Sequence, residues 1–167
     1  MEEANTILKL YQKVAPRGGG ITRFFGDTVI NSYDQHYIDF KKFGKQLVID
    51  ARNSGGKMIA ELYCFTPAQQ AFSHVLTDLT IVIAAGNDQK KMTTILLIRL
   101  LEHVESDRPD ILRVELLLRE GDAISMTLYK KFGFKIEGRF DKRICKSKGH
   151  FEAEIPMVWF NRKYMEQ

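Results

Sequence analysis

Residues Asp122 to Phe134 read Asp-Ala-Ile-Ser-Met-Thr-Leu-Tyr-Lys-Lys-Phe-Gly-Phe, and they are the most informative segment of the sequence. Its spacing predicts a short helix with both ends marked. Asp122 can accept hydrogen bonds from the first free backbone N–H groups, and Gly133 suits the left-handed residue that ends many helices. One stripe of this helix is apolar, and its members are Met126, Leu128, Tyr129 and Phe132. Tyr129 is the only polar member, so we expect its hydroxyl to need a partner when it is buried.

Length and composition indicate one globular domain over residues 1–167, with 44% hydrophobic and 28% charged residues, and its predicted strands and helices make it an α/β domain. No apolar run approaches the ~20 residues of a membrane span, and the acidic N-terminus lacks a signal-peptide core. We therefore expect a cytoplasmic protein without a membrane segment. Cys64 and Cys145 show no metal-ligand spacing and the four His are dispersed, so we expect no metal. The net charge of +4 suits a polyphosphate ligand or a nucleic-acid surface.

Outward from the helix, hydrophobic patterns predict a mostly stranded chain. The predicted strands are Thr6–Val14, Gln46–Ala51, Met58–Phe65, Leu76–Ala84, Ile111–Leu118, Phe134–Glu137 and Ala153–Phe160. The second and third of these are predicted to form a hairpin whose loop is longer than two residues. A helix capped by Asp88 is predicted through Glu105, and Ile21–Phe43 reads as irregular short helices. The basic segment Arg139–Lys148 is predicted to be a solvent-exposed loop between two strands, and a binding patch is the alternative.

The residues Leu128, Tyr129, Gly133 and Phe134 resemble the Asn-x-x-Ala-x-x-Leu-Tyr-x-x-x-Gly-Phe signature of the GNAT acetyltransferases. Asp122 stands in place of the Asn and Ser125 in place of the Ala; the alternative is an amphipathic helix whose Tyr only packs. The resemblance implies a mixed, mostly antiparallel sheet whose parallel fourth and fifth strands splay apart, with flanking helices. The closing stretch, from Glu137-Gly138-Arg139 to Pro156-Met157, also resembles subgroups that acetylate ribosomal-protein N-termini or small amines.

The resemblance implies acetyl-coenzyme A (acetyl-CoA) as the cofactor. The pantetheine arm would enter between Leu76–Ala84 and Ile111–Leu118, and it would pair with backbone of Ile81, Val82 and Ile83. The helix of the signature would flank the thioester through Asp122, Ser125 and Tyr129. A backbone N–H of the Leu76–Ala84 strand would bind the oxyanion.

The pyrophosphate loop departs from the family pattern, because its two glycines are absent. The corresponding residues are Gln89, Lys90, Lys91, Met92, Thr93 and Thr94. Lysine ammonium groups and threonine hydroxyls could replace backbone N–H donors at the helix start. Alternatively these side chains fill the site and leave a non-catalytic GNAT-like binding or regulatory domain, or the lysines face solvent without a ligand.

The chemistry that the resemblance implies is N-acetyl transfer to a primary amine by direct attack in a ternary complex. Tyr129 is the candidate acid, because a phenol is protonated at neutral pH. Asp78 and Glu61 are candidate bases, with Glu115 a weaker one; each is also explained as an exposed carboxylate.

A small-molecule or peptide acceptor would bind the first 45 residues and the segment Arg139–His150. Aromatic side chains that could line this cleft are Phe24, Phe25, Tyr33, Tyr37 and Phe40. We expect a monomer or homodimer. The basic loop leaves RNA or a ribosomal surface as a further alternative to a purely small-molecule role.

Overall fold

A β-hairpin opens the described part of the chain, which in this computed structural model comprises residues 9–10 and 44–165. Strand β1 (Gly44–Arg52) pairs antiparallel with β2 (Met58–Pro67). The connecting turn is held by Asn53, whose Oδ1 accepts hydrogen bonds from the backbone N–H groups of Gly55 and Lys57. The predicted hairpin with a loop longer than two residues is therefore confirmed.

A parallel crossover follows the hairpin. Strand β3 (Val75–Ile83) pairs antiparallel with β2 after a short 3-10 turn at Gln70–Phe72, and helix α1 (Gln89–Asp107) then leads to β4 (Arg113–Arg119). β4 lies parallel to β3. The long connection fits this geometry, because parallel strands need a crossover that is usually a helix.

The C-terminal half completes the sheet. Helix α2 (Ala123–Lys131) is followed by β5 (Lys135–Ile136), β6 (Phe140–Ser147) and β7 (His150–Phe160). The strand order is β1-β2-β3-β4-β7-β5, and β6 pairs with β7. All pairs in the described part of the chain are antiparallel except β3–β4. The predicted mixed, mostly antiparallel sheet is confirmed.

The main core lies between one face of this sheet and the apolar side of α1. The buried residues of the helix recur at three- and four-residue spacing, as expected of a helix packed on a sheet; they are Leu96, Leu97, Leu100 and Val104. Alternate residues of β2 and β7 face them, because side chains alternate between the faces of a strand. Those residues are Ala60, Leu62, Cys64, Ala153, Ile155, Met157 and Trp159.

Two predictions of secondary structure are wrong. Lys9 and Leu10 are helical, so the strand predicted at Thr6–Val14 does not hold at those positions. The remainder of that segment, the irregular segment Ile21–Phe43 and the aromatic residues predicted to line the cleft lie outside the described residues.

The basic segment Arg139–Lys148 is not a loop, because Phe140–Ser147 forms β6. Carboxylates on the neighbouring strand explain this: Arg143 pairs with Glu154 at 2.8 Å and Lys146 with Glu152 at 3.1 Å. A charged strand is thus held by cross-strand ion pairs. The turn falls at Gly149, whose φ of +83° favours glycine.

No helix in the described ranges is long and apolar enough to cross a membrane. Those ranges also contain no group of three or more His, Cys, Asp or Glu side chains arranged to hold a metal ion.

Candidate active site between strands β3 and β4

The parallel strands β3 and β4 separate soon after they begin. Their ladder contains two pairs, Val75 with Arg113 and Leu76 with Val114. Beyond Leu76, no residue of the described ranges continues pairing on this edge of β3, so backbone groups of the strand line an open gap. This geometry confirms the splayed parallel pair that the resemblance implies.

A β-bulge at Asp78 marks the point where the strands part. The register with β2 shifts from Tyr63–Thr80 to Phe65–Thr77, which places one extra residue on β3. Asp78 takes a φ of +60°, and Thr80 donates its hydroxyl to the Asp78 carbonyl at 3.0 Å. A bulge bends its strand and increases the local twist, so the sequence around Asp78 contributes to the opening.

The three residues predicted to pair with pantetheine lie beyond the bulge. Ile81, Val82 and Ile83 are paired on their other edge with Leu62, Glu61 and Ala60 of β2. Ile81 is half-buried, whereas the side chains of Val82 and Ile83 are buried. The outer backbone edge of this segment therefore belongs to a strand that is paired with β2 on its other edge and is packed into the core.

The start of α1 differs from a phosphate-binding loop. Asp88 caps the helix, and its carboxylate accepts the backbone N–H of Lys91 at 2.9 Å. A negative charge thus occupies a helix N-terminus, where an incoming phosphate would seek N–H donors.

The other residues predicted at this loop divide by exposure. Gln89, Lys90 and Lys91 are exposed, Thr93 and Thr94 are half-buried, and Met92 packs against the core. Of these side chains, Lys90 and Lys91 are the positively charged ones, and both are exposed at the start of the helix. Met92 is the poorest candidate for direct contact.

The signature helix ends in a Schellman motif, which gives the Tyr-x-x-x-Gly-Phe spacing a physical basis. Phe134 N–H bonds to the Tyr129 carbonyl at 3.1 Å and Gly133 N–H to the Lys130 carbonyl at 3.0 Å. Gly133 has a φ of +91°, which favours glycine. The Phe134 ring meets the Tyr129 ring edge-on with centroids 5.3 Å apart. The signature therefore fixes the orientation of Tyr129 through the end of its own helix.

Tyr129 is buried at 6% exposure. Burial and the nearby Asp122 carboxylate raise the pKa of its phenol above the usual range. No residue in the described ranges forms a hydrogen bond with the Tyr129 hydroxyl. The hydrogen-bond partner that the sequence analysis expected is therefore not found among these residues.

At the other end of the helix, the Asp122 carboxylate accepts the Ser125 N–H at 3.0 Å, which confirms the predicted cap.

The candidate bases lie on adjacent strands in different environments. Asp78 is half-buried at the bulge. Glu61 is 1% exposed, so its interpretation as an exposed carboxylate is wrong; β2 is covered on both faces at this position. Glu115 forms an ion pair with Arg113 at 2.7 Å, which makes it a poor candidate for the base.

Burial raises the pKa of the Cys64 thiol to about 12, despite nearby Arg108, so Cys64 is not an activated nucleophile.

Sequence reasoning overlooked two carboxylates on β7 whose side chains are largely buried, Glu152 and Glu154. Their side chains are 8% and 6% exposed. The predicted strand began at Ala153, one residue after Glu152 and one before Glu154. The basic residues of Arg139–Lys148 could have indicated these two carboxylates, because a strand with so many cations needs carboxylate partners on a neighbouring strand.

No protein-family model and no curated protein sequence matches this chain. Solved structures do match. A GNAT-family acetyltransferase from Streptococcus pneumoniae is 16% identical with a TM-score of 0.77, covering 96% of this chain and 94% of that one. A ribosomal-protein-alanine N-acetyltransferase from Brucella melitensis is 16% identical with a TM-score of 0.75, covering 95% and 94%.

A third match is spermidine N-acetyltransferase from Vibrio cholerae, solved in complex with CoA and spermine. It is 13% identical with a TM-score of 0.77, and the alignment covers 99% of this chain and 94% of that one. Similarity at such identities concerns the fold. The chain has the fold of the GNAT N-acetyltransferases, as the stretch from Asp122 to Phe134 predicts.

Proposed function

We propose that this protein is an N-acetyltransferase that moves the acetyl group of acetyl-CoA to a primary amine by direct attack in a ternary complex. The observation that carries the proposal is the gap between β3 and β4, which opens at a bulge directly after their second pair. Pantetheine contains two amides, and the outer backbone edge at Ile81–Ile83 offers groups that could pair with them.

The acid in this proposal is Tyr129. The thiolate that leaves the tetrahedral intermediate needs a proton, and a buried phenol with a raised pKa holds its proton at neutral pH. Because its hydroxyl has no hydrogen-bond partner within the described residues, it is available to a ligand in the gap. A backbone N–H on the β3 edge would stabilise the oxyanion.

The base in this proposal is Asp78. A protonated amine cannot attack, so one proton must leave the acceptor before the new C–N bond completes. Asp78 lies two residues beyond the last β3–β4 pair, at the point where the gap opens. Glu61 is the second candidate; its burial suits a proton relay better than direct contact with a solvated amine.

The acceptor in this proposal is a small-molecule or peptide amine, bound on the side of the β6–β7 hairpin. Two of the matched structures are named for such amines, spermidine and the alanine of a ribosomal protein. Nucleic acid is a weaker candidate, because Arg139, Arg143 and Lys146 form ion pairs with carboxylates. We also propose a reducing cytoplasm, since Cys64 and Cys145 are free thiols.

One observation favours the alternative, a GNAT-like domain that binds partners without catalysis. The Asp88 carboxylate occupies the helix start where pyrophosphate would bind. If its repulsion outweighs the attraction of Lys90 and Lys91, the cofactor is excluded.

Titration with acetyl-CoA separates the two functions. We expect thermal stabilisation of ~2.7 kcal/mol at a concentration 100 times Kd, together with amide chemical-shift changes at Ile81–Ile83 and in the Asp122–Tyr129 segment. Desulfo-CoA and adenosine diphosphate serve as probes that share the pyrophosphate but lack a thioester. An absence of stabilisation and of shifts at millimolar acetyl-CoA would favour the non-catalytic domain.

Charge substitutions at the start of α1 should move the cofactor Kd in opposite directions. Asp88→Asn keeps an N-cap oxygen for the Lys91 N–H but removes the negative charge, so we expect acetyl-CoA to bind roughly tenfold more tightly at low salt. Replacing both Lys90 and Lys91 with Ala should weaken binding by a similar factor. Calorimetric titration at low and high salt measures both.

Salt provides the internal check on these variants. Exposed charges are screened, so rising salt should weaken wild-type binding more than binding by the double lysine variant. Asp107→Asn is the matched control, because Asp107 lies at the other end of α1, about 27 Å away. If the double lysine variant binds as tightly as wild type at low salt, the lysines do not compensate for the missing glycines.

A further inference from the structure

The Glu152 carboxylate joins both strands of the β6–β7 hairpin to the turn that precedes α2, where Glu120 also donates its backbone N–H to the Ala153 carbonyl at 3.0 Å. Glu152 Oε1 accepts the backbone N–H of Gly121 at 2.6 Å, and its Oε2 lies 3.1 Å from the Lys146 ammonium on β6. The Glu152 side chain is 8% exposed. The Lys146 side chain is 55% exposed, so water competes for the ion pair, whereas the short N–H bond to the ionised carboxylate belongs to the stronger, charge-assisted class.

Gly121 leaves room for this contact. A Cβ atom at position 121 would lie 2.6 Å from Glu152 Oε1, so a larger residue would shift the end of the Glu152 side chain away from the backbone N–H. The next residue, Asp122, caps α2 and bonds through its own N–H to the Arg119 carbonyl at 3.0 Å. The Glu152 contact thus lies one residue before the cap of the helix that carries Tyr129.

Glu152 is ionised at neutral pH. Burial raises its pKa, but the Gly121 hydrogen bond, the Lys146 ammonium on β6 and the Arg119 guanidinium on β4 outweigh burial and hold the pKa below its usual range. The ion therefore acts on the turn throughout the pH range in which an amine acceptor can react.

We propose that Glu152 is a positioning residue of the transferase site, which sets α2, and with it the Tyr129 hydroxyl, relative to the β6–β7 hairpin. This inference rests on the proposed function, because the role of Tyr129 as general acid is part of that proposal. α2 has nine residues and is anchored at its end by the Phe134–Tyr129 contact. Without Glu152, the start of α2 loses the side-chain hydrogen bond to the residue before its cap, and a shift of ~1 Å can cost about 10²-fold in rate.

Two substitutions at Glu152 separate position from charge. Glu152→Ala removes both contacts, and we expect kcat to fall about 10- to 100-fold while KM for acetyl-CoA changes little. Glu152→Gln keeps an acceptor oxygen for the Gly121 N–H, and we expect it to restore most of kcat. Glu120→Gln is the matched control, since Glu120 lies in the same turn but its pair with Arg139 is at the surface; its kcat should equal that of wild type.

The pH dependence of stability gives a signature of the ion itself. A carboxylate with a lowered folded-state pKa stabilises the fold above its unfolded pKa of ~4.3, and this contribution is lost as pH falls through the folded value. Wild type should therefore lose its thermal-stability advantage over Glu152→Gln in acid. An advantage that persists unchanged at acid pH would show that the Glu152 charge does not hold the turn.

Amide hydrogen exchange tests the positioning without any assay of transfer. In Glu152→Ala we expect faster exchange at Gly121 and in the first turn of α2, with exchange in α1 unchanged. Unaltered exchange at Gly121, or a wild-type kcat per folded molecule in Glu152→Ala, overturns the proposal. A wild-type protein that transfers acetyl to no amine refutes the proposed function instead, and the exchange result then decides whether Glu152 positions the helix.

Discussion

Replacing Tyr129 with Phe should slow acetyl transfer by about 10²- to 10⁴-fold, the usual contribution of general acid catalysis. The substitution removes one hydroxyl and preserves the ring that packs against Phe134 at 5.3 Å, so α2 should keep its position. We expect the Kd for acetyl-CoA to remain close to wild type. Steady-state kcat and calorimetric Kd, measured on the same preparation, provide the test.

Tyr164→Phe is the matched control for this substitution. Tyr164 lines a separate cleft beside Arg108 and Asp110, near the end of α1, so loss of its hydroxyl should leave kcat unchanged. The raised pKa of Tyr129 adds a pH criterion: its phenol should stay protonated up to at least its usual pKa of ~10. Unchanged turnover in Tyr129→Phe would reduce Tyr129 to a packing residue.

Replacing Asp78 with Asn should lower kcat by about 10²-fold or more at neutral pH, if Asp78 removes the proton from the amine. Asn tolerates the left-handed backbone, so the bulge at φ +60° should persist. Raising the pH should restore part of the rate, because a larger fraction of the acceptor is then already neutral. A pH–kcat profile for wild type and variant measures both effects.

Asp78→Gly distinguishes the carboxylate from the backbone that carries it. Glycine adopts a positive φ without steric cost, so this variant should keep the bulge and lose the base. Equal losses in the Asn and Gly variants would assign the effect to the carboxylate. Wild-type activity in both would leave Asp78 a bulge residue and transfer the role to Glu61, for which Glu61→Gln is the corresponding test.

Structural elements with local signals could be predicted from the sequence. Asp122 as N-cap, Gly133 in the left-handed region and Phe134 packed on Tyr129 all act within 13 consecutive residues. Caps, Schellman motifs and hydrophobic periodicity need no distant partner. The same reasoning correctly gave the β1–β2 hairpin and the Asp88 cap of α1. Together these elements led to the GNAT fold that the solved structures share.

The environment of the charged residues depends on the tertiary structure. The composition of β6 is that of a solvent-exposed loop. The segment nevertheless forms a strand, in which Lys146 and Arg143 pair with Glu152 and Glu154 on β7. Glu61 has the composition of an exposed strand position, yet it is 1% exposed. Neither outcome can be derived from neighbours in sequence, since both depend on contacts between separate strands.

The geometry of the candidate site also depends on contacts between separate strands. The gap forms where the β3–β4 ladder stops and where β3 bulges at Asp78. The positive φ at this bulge could not be predicted, because the residue is not a glycine. The Gly121–Glu152 hydrogen bond joins residues 31 positions apart. A charge or a polar atom is stabilised only by the partner it meets in space, and the sequence does not show which residues meet until the sheet has formed.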